Sequence, residues 1–379
     1  MRKNFLFCLF LGLYLCLDTF PSLAFTTQII SGYNINAALK SDGTVWAWTG
    51  PWGGACGANA TNIAIQLKDN VGNPIKAIGF APSGIAGLLL INANGTLSNS
   101  TTCGNNWVNV IDSSGKPITN VIQASGGIYT TAFVKSDGTV WNYGDNLYGE
   151  LGTGSVGNAG VVNAVPVQVK INATQFLTGV KSVRTSGLYS VALKADGTIW
   201  AWGYTMAGAT NFYATQLKDI NGNPIANVAN IGPTGNGVLN IITSDGLLWG
   251  FDFPNNIYPL RDVNNIQLTN ILDVDGASMY SDSGGVGVKS DGTVWQWMGI
   301  NKTNYYPAFQ VQSTTGLALQ NVSTIAGTNV NTVALKNDCT VWQWGNDRSK
   351  APLGGFLASP VNDSTGKPLS LIVGAACAP

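Results

Sequence analysis

Histidine is absent from this 379-residue chain, and glutamate occurs once, at Glu150. Without histidine the chain can form neither a Ser-His-Asp triad nor an imidazole metal site. A glycosidase needs two opposed carboxylates, and a single glutamate leaves only aspartates for that task. Most aspartates recur at equivalent positions of a repeated phrase, which favours a role in turns. We therefore expect no catalytic residue, no metal site and no cofactor.

Charge is also scarce. Asp, Glu, Lys and Arg make up 10% of the residues, and the 19 basic and 19 acidic groups balance. No basic stripe is present to follow a phosphate backbone, so we do not expect a nucleic-acid partner. An arginine triad of the sialidase kind is not expected either, because the candidates occupy different places within their repeats: Arg184, Arg261 and Arg348.

One acidic cluster, formed by Asp273, Asp275 and Asp282, resembles a calcium loop. Gly276 follows Asp275 immediately and no glutamate closes the loop, so the spacing does not match an EF-hand. We interpret the cluster as part of an ordinary solvated loop.

The chain does contain one phrase written seven times, with Ser-Asp-Gly-Thr-Val-Trp-Ala-Trp from Ser41 to Trp48 as its clearest copy. Successive copies lie about 50 residues apart, a period typical of solenoids and propellers. Asp-Gly between alternating apolar residues predicts a hairpin with a type I′ turn, in which both turn residues have positive φ. The copies are centred on Asp42, Asn94, Asp137, Asp196, Asp245, Asp291 and Asp338.

A second phrase between the hairpins supplies two further strands, most clearly at residues 66–75 and 216–225. A four-stranded sheet that is apolar on both faces cannot stand alone, and seven such units arranged radially cover every face. The tryptophans repeated in the strands are then explained by core packing. We predict an all-β chain that folds as a seven-bladed β-propeller of four-stranded antiparallel blades.

The first 24 residues have the organisation of a signal peptide. Arg2 and Lys3 precede an apolar run that is too short to span a bilayer, and Ser22 and Ala24 suit the −3 and −1 positions of a cleavage site. Residues 25–379 are then the propeller. We expect a secreted or periplasmic protein without membrane insertion, and a monomer.

Export would leave four cysteines in the mature chain, an even number that suits two disulfide bonds in an oxidising compartment. Three pairings are possible. Cys56 and Cys103 both follow the second hairpin strand in adjacent repeats, which favours a bond between them. Cys339 replaces the glycine of its turn, where a side chain is uncomfortable, and Cys377 is its remaining candidate. The alternative is two free buried thiols.

The segment from Ala38 to Trp48 resembles the repeat of the regulator of chromosome condensation family. The third repeat is the fullest match, because residues 134–141 continue into 143–154 and then 166–169, which looks like the whole loop signature of the family. The resemblance covers about 350 residues at the family's blade length. It implies a seven-bladed propeller.

The chain also departs from the family. A histidine usual in its repeat is missing, and the slots hold Ile35, Thr130, Ser190 and Val330. Family members that exchange nucleotide on a small GTPase act inside the cell through particular loops, and no such insertion is found here. Secreted members that inhibit β-lactamase imply that a face of the propeller can hold a protein.

Aromatic residues off the strand pattern are the candidate binding residues. We place them in the loops after the Trp-containing strands, which share one face of a propeller. If these side chains are exposed, they could bind a protein or stack on sugars. If they are not, they fold back over the sheet edges. The set comprises Trp52, Tyr148, Phe212, Tyr213, Phe253, Tyr305 and Tyr306.

We therefore predict an exported, non-catalytic binding or scaffold propeller whose partner is a protein. A carbohydrate-binding or carbohydrate-active propeller is the alternative. A second alternative is an effector that acts like a guanine nucleotide exchange factor on a host small GTPase.

Overall fold

The computed structural model describes most of the chain between Gln28 and Leu371. The described ranges are 28–32, 35–49, 63–84, 87–102, 105–127, 129–158, 162–186, 188–205, 209–233, 238–276, 284–299, 305–327, 331–345 and 357–371. The expected signal peptide, Trp52, Cys56, Cys103 and Cys377 lie outside these ranges. Within them, no helix has the length and apolar character needed to cross a membrane.

The described strands form seven sheets. Blade 1 contains β1 Gln28–Ser31, β2 Asn36–Leu39, β3 Val45–Trp48 and β4 Ile65–Gln66. Blade 2 contains β5 Gly79–Ser83, β6 Gly87–Ile91, β7 Leu97–Thr102 and β8 Asn105–Asn109. Blade 3 contains β9 Val121–Gly126, β10 Thr130–Lys135, β11 Val140–Gly144 and β12 Asn163–Gln168. Blade 4 contains β13 Val180–Thr185, β14 Tyr189–Lys194, β15 Ile199–Thr205 and β16 Ala209–Gln216.

Blade 5 contains β17 Val228–Pro233, β18 Val238–Thr243, β19 Leu248–Asp252 and β20 Asn256–Pro259. Blade 6 contains β21 Ile271–Gly276, β22 Gly284–Lys289, β23 Val294–Gly299 and β24 Tyr305–Gln310. The short β25 Gln312–Ser313 follows it. Blade 7 contains β26 Val322–Gly327, β27 Asn331–Lys336, β28 Val341–Gly345 and β29 Leu357–Pro360. Consecutive strands within each blade pair antiparallel, so the predicted all-β seven-bladed propeller is confirmed.

The first strands of the blades form the inner ring. β1 contacts β5, and the contacts continue from blade to blade until β26 meets β1. Polar side chains support this ring: Gln123 Nε2 donates to the Val183 carbonyl, and Asn230 Nδ2 donates to Asp273 Oδ1 at 2.9 Å. Each blade takes its strands from one continuous stretch of chain, so the ring closes by contact between blades 7 and 1 without exchanging a strand.

The outermost strands are covered by the segment that leaves the preceding blade. The Ala64 N–H donates to the Asn362 carbonyl at 2.7 Å, and the Ala308 N–H donates to the Arg261 carbonyl at 2.9 Å. β25 covers β29 in the same way, as a parallel neighbour. In blade 3 the equivalent position is Pro166, which has no N–H to donate. A covering segment or a proline therefore protects these edge strands from pairing with another chain.

The Asp-Gly hairpins differ from the type I′ turns that the sequence predicts. Gly43 has a φ of 81°, whereas Asp42 is not among the residues with positive φ. The Lys40 N–H donates to the Thr44 carbonyl and the Gly43 N–H donates to the Lys40 carbonyl, a pattern of a three-residue loop with a left-handed third residue. Asp42 Oδ1 accepts the N–H and the hydroxyl of Thr44, two residues later, which forms an Asx turn. The type I′ prediction was wrong.

The hairpin aspartate also fixes the first tryptophan of the third strand. Thr44 Oγ1 accepts the indole N–H of Trp46 at 3.2 Å, and Lys40 Nζ lies 4.2 Å from the centroid of that ring. The same chain recurs in blades 3, 4, 6 and 7, at Asp137, Asp196, Asp291 and Asp338. These carboxylates thus accept hydrogen bonds within their own hairpins, as expected of turn residues.

The second tryptophan of the third strand packs between blades and bonds to the preceding blade. Trp48 Nε1 donates to Gln343 Oε1 of blade 7 at 2.7 Å, and Trp344 Nε1 donates to Gln296 Oε1 of blade 6 at 2.8 Å. Both indoles are buried. The expected core role of the repeated tryptophans is confirmed at this position, whereas Trp46 is half-buried.

Candidate functional site

The structure brings aromatic residues of blades 3 and 4 together at one end of the strands. We call this surface the aromatic band and define it as Tyr129, Tyr148, Tyr204, Phe212 and Tyr213. Three of the seven aromatics proposed from the sequence belong to it, namely Tyr148, Phe212 and Tyr213. Tyr148 lies in the segment between β11 and β12, whereas Phe212 and Tyr213 lie within β16 rather than in a loop.

The other aromatic candidates are placed elsewhere. Phe253 follows β19, and its ring packs edge-on against Tyr189 and Phe251. This is the alternative in which the aromatic residue folds back over the sheet edge. Tyr305 and Tyr306 begin β24 rather than standing in a loop, and their side chains lie outside what the structure describes. Trp52 also lies outside the described residues.

The segment of residues 145–158 carries Tyr148 and is held by its own polar groups. Asn146 is buried, and its Nδ2 donates to the Ser155 carbonyl while its Oδ1 accepts the Leu151 N–H, both at 3.0 Å. The Gly157 N–H donates to the Asn146 carbonyl at 2.7 Å. One asparagine therefore ties both halves of the segment together.

The same segment reaches across to blade 4. The Gly154 N–H donates to the Phe212 carbonyl at 2.7 Å, and Thr153 forms a β-bridge with Tyr213. A Cβ at Gly154 would lie 2.1 Å from the Tyr213 ring, and Gly154 has a φ of 90°, so only glycine fits. The rings of Tyr148 and Tyr204 lie 5.1 Å apart between centroids. Residues from two blades thus form one surface.

The band is exposed although it is well anchored. The exposed fraction is 55% for Tyr129, 38% for Tyr148 and 37% for Phe212. Val156 of the same segment and Val162 are also exposed. Exposed aromatic groups that rest on fixed backbone lose little conformational freedom on binding, which favours association with a partner.

Glu150 is a buried carboxyl beneath this surface, and sequence reasoning assigned it no role. It is 1% exposed, its Oε2 accepts the Tyr148 N–H at 2.8 Å, and its Oε1 has no hydrogen-bond partner. Burial raises its pKa, and the nearby Asp145 acts in the same direction. Tyr129 and Tyr204 were also missed, because each belongs to the regular pattern of its own repeat.

Within the part of the chain that the structure describes, the loops at the two ends of the blades differ in charge. Among the described residues of the loops that join first to second or third to fourth strands, the charged ones are Asp145 and Glu150. The opposite end carries the hairpins, where lysine and aspartate alternate, as in the 3.3 Å ion pair of Lys194 with Asp196. There the threonine hydroxyl is the main cause that lowers the pKa of Asp137. The aromatic band lies at the end where the described loops carry fewer charges.

Asp273 and Asp275 do not lie in a solvated loop, contrary to expectation. Both belong to the inner strand β21 and bond to blade 7. Asp273 Oδ2 accepts the Thr324 hydroxyl at 2.7 Å, and Asp275 Oδ2 accepts the Gly327 N–H at 3.1 Å. Burial raises the pKa of Asp275, partly offset by the charge of Arg184. These aspartates join two blades, and Asp282 lies outside the described residues.

Cys339 occupies a strained position, as its place in the repeat suggests. Its φ is 67°, which is the left-handed conformation that the turn glycine has in other blades, and the residue is buried. Cys56, Cys103 and Cys377 lie outside the described residues, so both pairings stay predictions.

No family model matches this chain. Human WBSCR16 has a similar structure, with a TM-score of 0.55 over 82% of this chain and 84% of that chain at 16% sequence identity. Prp20p from Saccharomyces cerevisiae, the yeast RCC1, gives a TM-score of 0.54 over 79% and 80% of the two chains at 15% identity. Likeness at this identity concerns the fold alone. The resemblance of the repeat to the regulator of chromosome condensation family is therefore confirmed as a likeness of fold: the chain is an RCC1-like seven-bladed propeller.

Proposed function

We propose that this chain is an exported, non-catalytic binding propeller that holds a protein partner through the aromatic band. The observation that carries the proposal is the convergence of exposed aromatics from two blades on one anchored surface. Buried aromatic anchors dominate the energetics of protein interfaces. Prp20p, whose fold is similar, has binding properties toward Gsp1p and histones, which is in keeping with a protein partner.

The scarcity of charge in the described 145–158 segment narrows the class of partner. With Asp145 and Glu150 as the charged groups of the described loops, the band offers little to an acidic or basic surface. Its complement is an uncharged protein surface with apolar or aromatic side chains. Association between such surfaces depends weakly on salt, because screening acts on charges.

The test is capture of a binding partner by immobilised protein from the extracytoplasmic fraction of its own source, with identification by mass spectrometry. Tyr148→Ala and Phe212→Ala should each weaken binding of the captured protein by at least about 30-fold, the usual effect of losing an aromatic anchor. Phe176→Ala is the matched control, since Phe176 is 45% exposed but lies in the connection that follows blade 3, at the opposite end.

Capture that survives both band variants, or that Phe176→Ala weakens equally, would contradict the proposal. Glycan-array binding that Tyr148→Ala abolishes would replace it with the carbohydrate-binding alternative. Nucleotide release from a small GTPase would support the exchange-factor alternative, and we expect none.

Export, a monomeric state and two disulfide bonds belong to the same proposal. The disulfides are supported by Cys339, which is buried although its turn holds it at positive φ. Peptide mapping of the exported protein without reduction checks this part. We expect an N-terminus at Phe25 and links of Cys56 with Cys103 and of Cys339 with Cys377; a link of Cys56 with Cys339 would refute the pairing.

A further inference from the structure

Glu150 occupies the junction between the 145–158 segment and blade 4. Its backbone carbonyl accepts Asn142 Nδ2 at 2.8 Å, which ties it to the third strand of blade 3. On the other side, a Cβ at Gly203 would lie 3.4 Å from the Glu150 Cα, so the two backbones are in close contact. The main chain at Glu150 is therefore clamped between two blades.

From this clamped position the side chain turns back along the segment. Glu150 Oε2 accepts the N–H of Tyr148, two residues earlier, at 2.8 Å. The bond closes a small ring of atoms that fixes the backbone of Tyr148. The ring of Tyr148 then meets Tyr204 of blade 4, at 5.1 Å between centroids.

We infer that Glu150 is the residue that positions Tyr148 for partner binding, by fixing its backbone from a carboxyl clamped between blades 3 and 4. The inference rests on the proposed function of the aromatic band. Glu150 itself is buried and does not touch the partner. It is a positioning residue that acts through Tyr148.

The position of Tyr148 then depends on the protonation of Glu150. Oε1 is buried without a hydrogen-bond partner, so a negative charge on it is costly. Burial raises the pKa of Glu150 above its ordinary value of 4.5 against the opposing backbone N–H groups of Glu150 and Tyr148, and the Asp145 carboxylate on the same segment adds to the rise. From blade 4 the segment faces Trp202, Gly203, Tyr204 and Tyr213, and from the connection after blade 3 it faces Lys170, whose N–H donates to the Gly152 carbonyl.

Proton linkage gives the direction in which pH changes the stability of the anchored segment. A carboxyl whose pKa is higher in the anchored segment than in an opened one binds protons more tightly when anchored, so the anchored form is most stable at low pH. Its stability falls as the pH rises through the raised pKa of Glu150. At high pH the segment should open to hydrate the carboxylate.

Hydrogen exchange of the Tyr148 amide measures this anchoring without any partner. In the unmodified protein, protection of that amide, corrected for the intrinsic pH dependence of exchange, should decline as the pH rises above 4.5. Glu150→Gln keeps an acceptor and cannot ionise, so its protection should be independent of pH. Glu150→Ala should lower protection about tenfold relative to Glu150→Gln at every pH, which corresponds to one lost hydrogen bond. Asp137→Asn, at the opposite end of blade 3, should leave the pH profile unchanged.

Flat protection in the unmodified protein, or equal loss in Glu150→Gln and Glu150→Ala, would overturn the inference. Because the comparison of the Gln variant with the unmodified protein needs no Ala variant, it stands even if Glu150→Ala does not fold.

Partner capture separates this inference from the proposed function. If Tyr148 matters, Glu150→Ala weakens capture and Glu150→Gln restores it. If Tyr148→Ala still captures the partner while hydrogen exchange gives the expected pH profiles, the proposed function of the aromatic band is refuted. The role of Glu150 in positioning Tyr148 for binding is then refuted with it. Capture that Tyr148→Ala abolishes and Glu150→Ala leaves intact refutes the positioning role alone.

Discussion

The bond between Trp48 and Gln343 crosses the junction at which the ring closes, so shortening Gln343 tests how the propeller is held shut. In Gln343→Asn the acceptor withdraws by about 1.5 Å, the length of one carbon–carbon bond. A 2.7 Å contact then exceeds hydrogen-bond range. Trp48 is buried, so its indole N–H would be left unsatisfied at a cost of about 1–3 kcal/mol.

Blade 3 already contains the shorter side chain. Asn142 occupies the same place in its strand as Gln343, directly after the first tryptophan, and the blade 4 equivalent of Trp48 is Trp202, which packs against blade 3. Both Asn142 Oδ1 and Trp202 Nε1 are buried without a hydrogen-bond partner. An asparagine at this place therefore does not reach the indole of the next blade.

Equilibrium unfolding in denaturant is the assay. Gln343→Asn should lower the midpoint with an unchanged slope, which indicates a loss of stability without a change in the surface exposed on unfolding. Asn142→Gln is the matched variant; it should complete a bond to Trp202 worth about 1 kcal/mol but lose the bond from Asn142 Nδ2 to the Glu150 carbonyl, so the free energy of unfolding should change little. The reasoning is refuted if Gln343→Asn leaves the midpoint unchanged, or if Asn142→Gln lowers stability as much as Gln343→Asn does.

Two further predictions concern single turns. Gly154→Ala should lower the melting temperature and increase proteolysis within residues 145–158, because its Cβ would meet the Tyr213 ring at 2.1 Å. Gly115→Ala is the control for backbone strain, since Gly115 also has a positive φ but has open space around it. Equal effects of the two substitutions would refute the clash. Asp137→Ala should lower the melting temperature, because it removes two hydrogen bonds to Thr139. Asp137→Asn should not, because Asn94 makes the same two bonds to Thr96 in blade 2. Equal losses in the two variants would show that the charge of Asp137 is what matters.

Much of the fold follows from short stretches of sequence. The chain from Asp42 through Thr44 to Trp46 spans five residues and closes within one hairpin, so each copy of the phrase specifies the same local structure. The error in turn type has a local cause as well: Asp-Gly suits both a two-residue and a three-residue loop, and the choice depends on which flanking residues pair. Here Lys40 pairs with Thr44, and Gly43 alone takes positive φ.

The aromatic band could be predicted only in part. Tyr148 stands out because it lies off the strand pattern, but its neighbour Tyr204 belongs to a different blade and looks like an ordinary continuation of β15. Phe212 and Tyr213 were expected in a loop because β16, at eight residues, begins earlier than the repeat suggests. Glu150 gave no signal of burial, since a lone glutamate between glycine and leucine usually lies at the surface.

The amino-acid sequence by itself determined the blades: their number, their strands and the tryptophans between them, because period-2 alternation and hairpin bonds act over a few residues. The tertiary structure decided which residues of different blades meet. The contact of Gly154 with Phe212, the tilted contact of the Tyr148 and Tyr204 rings and the burial of Glu150 arise only when the blades pack radially. Such contacts join positions about 50 residues apart, and no local pattern records them.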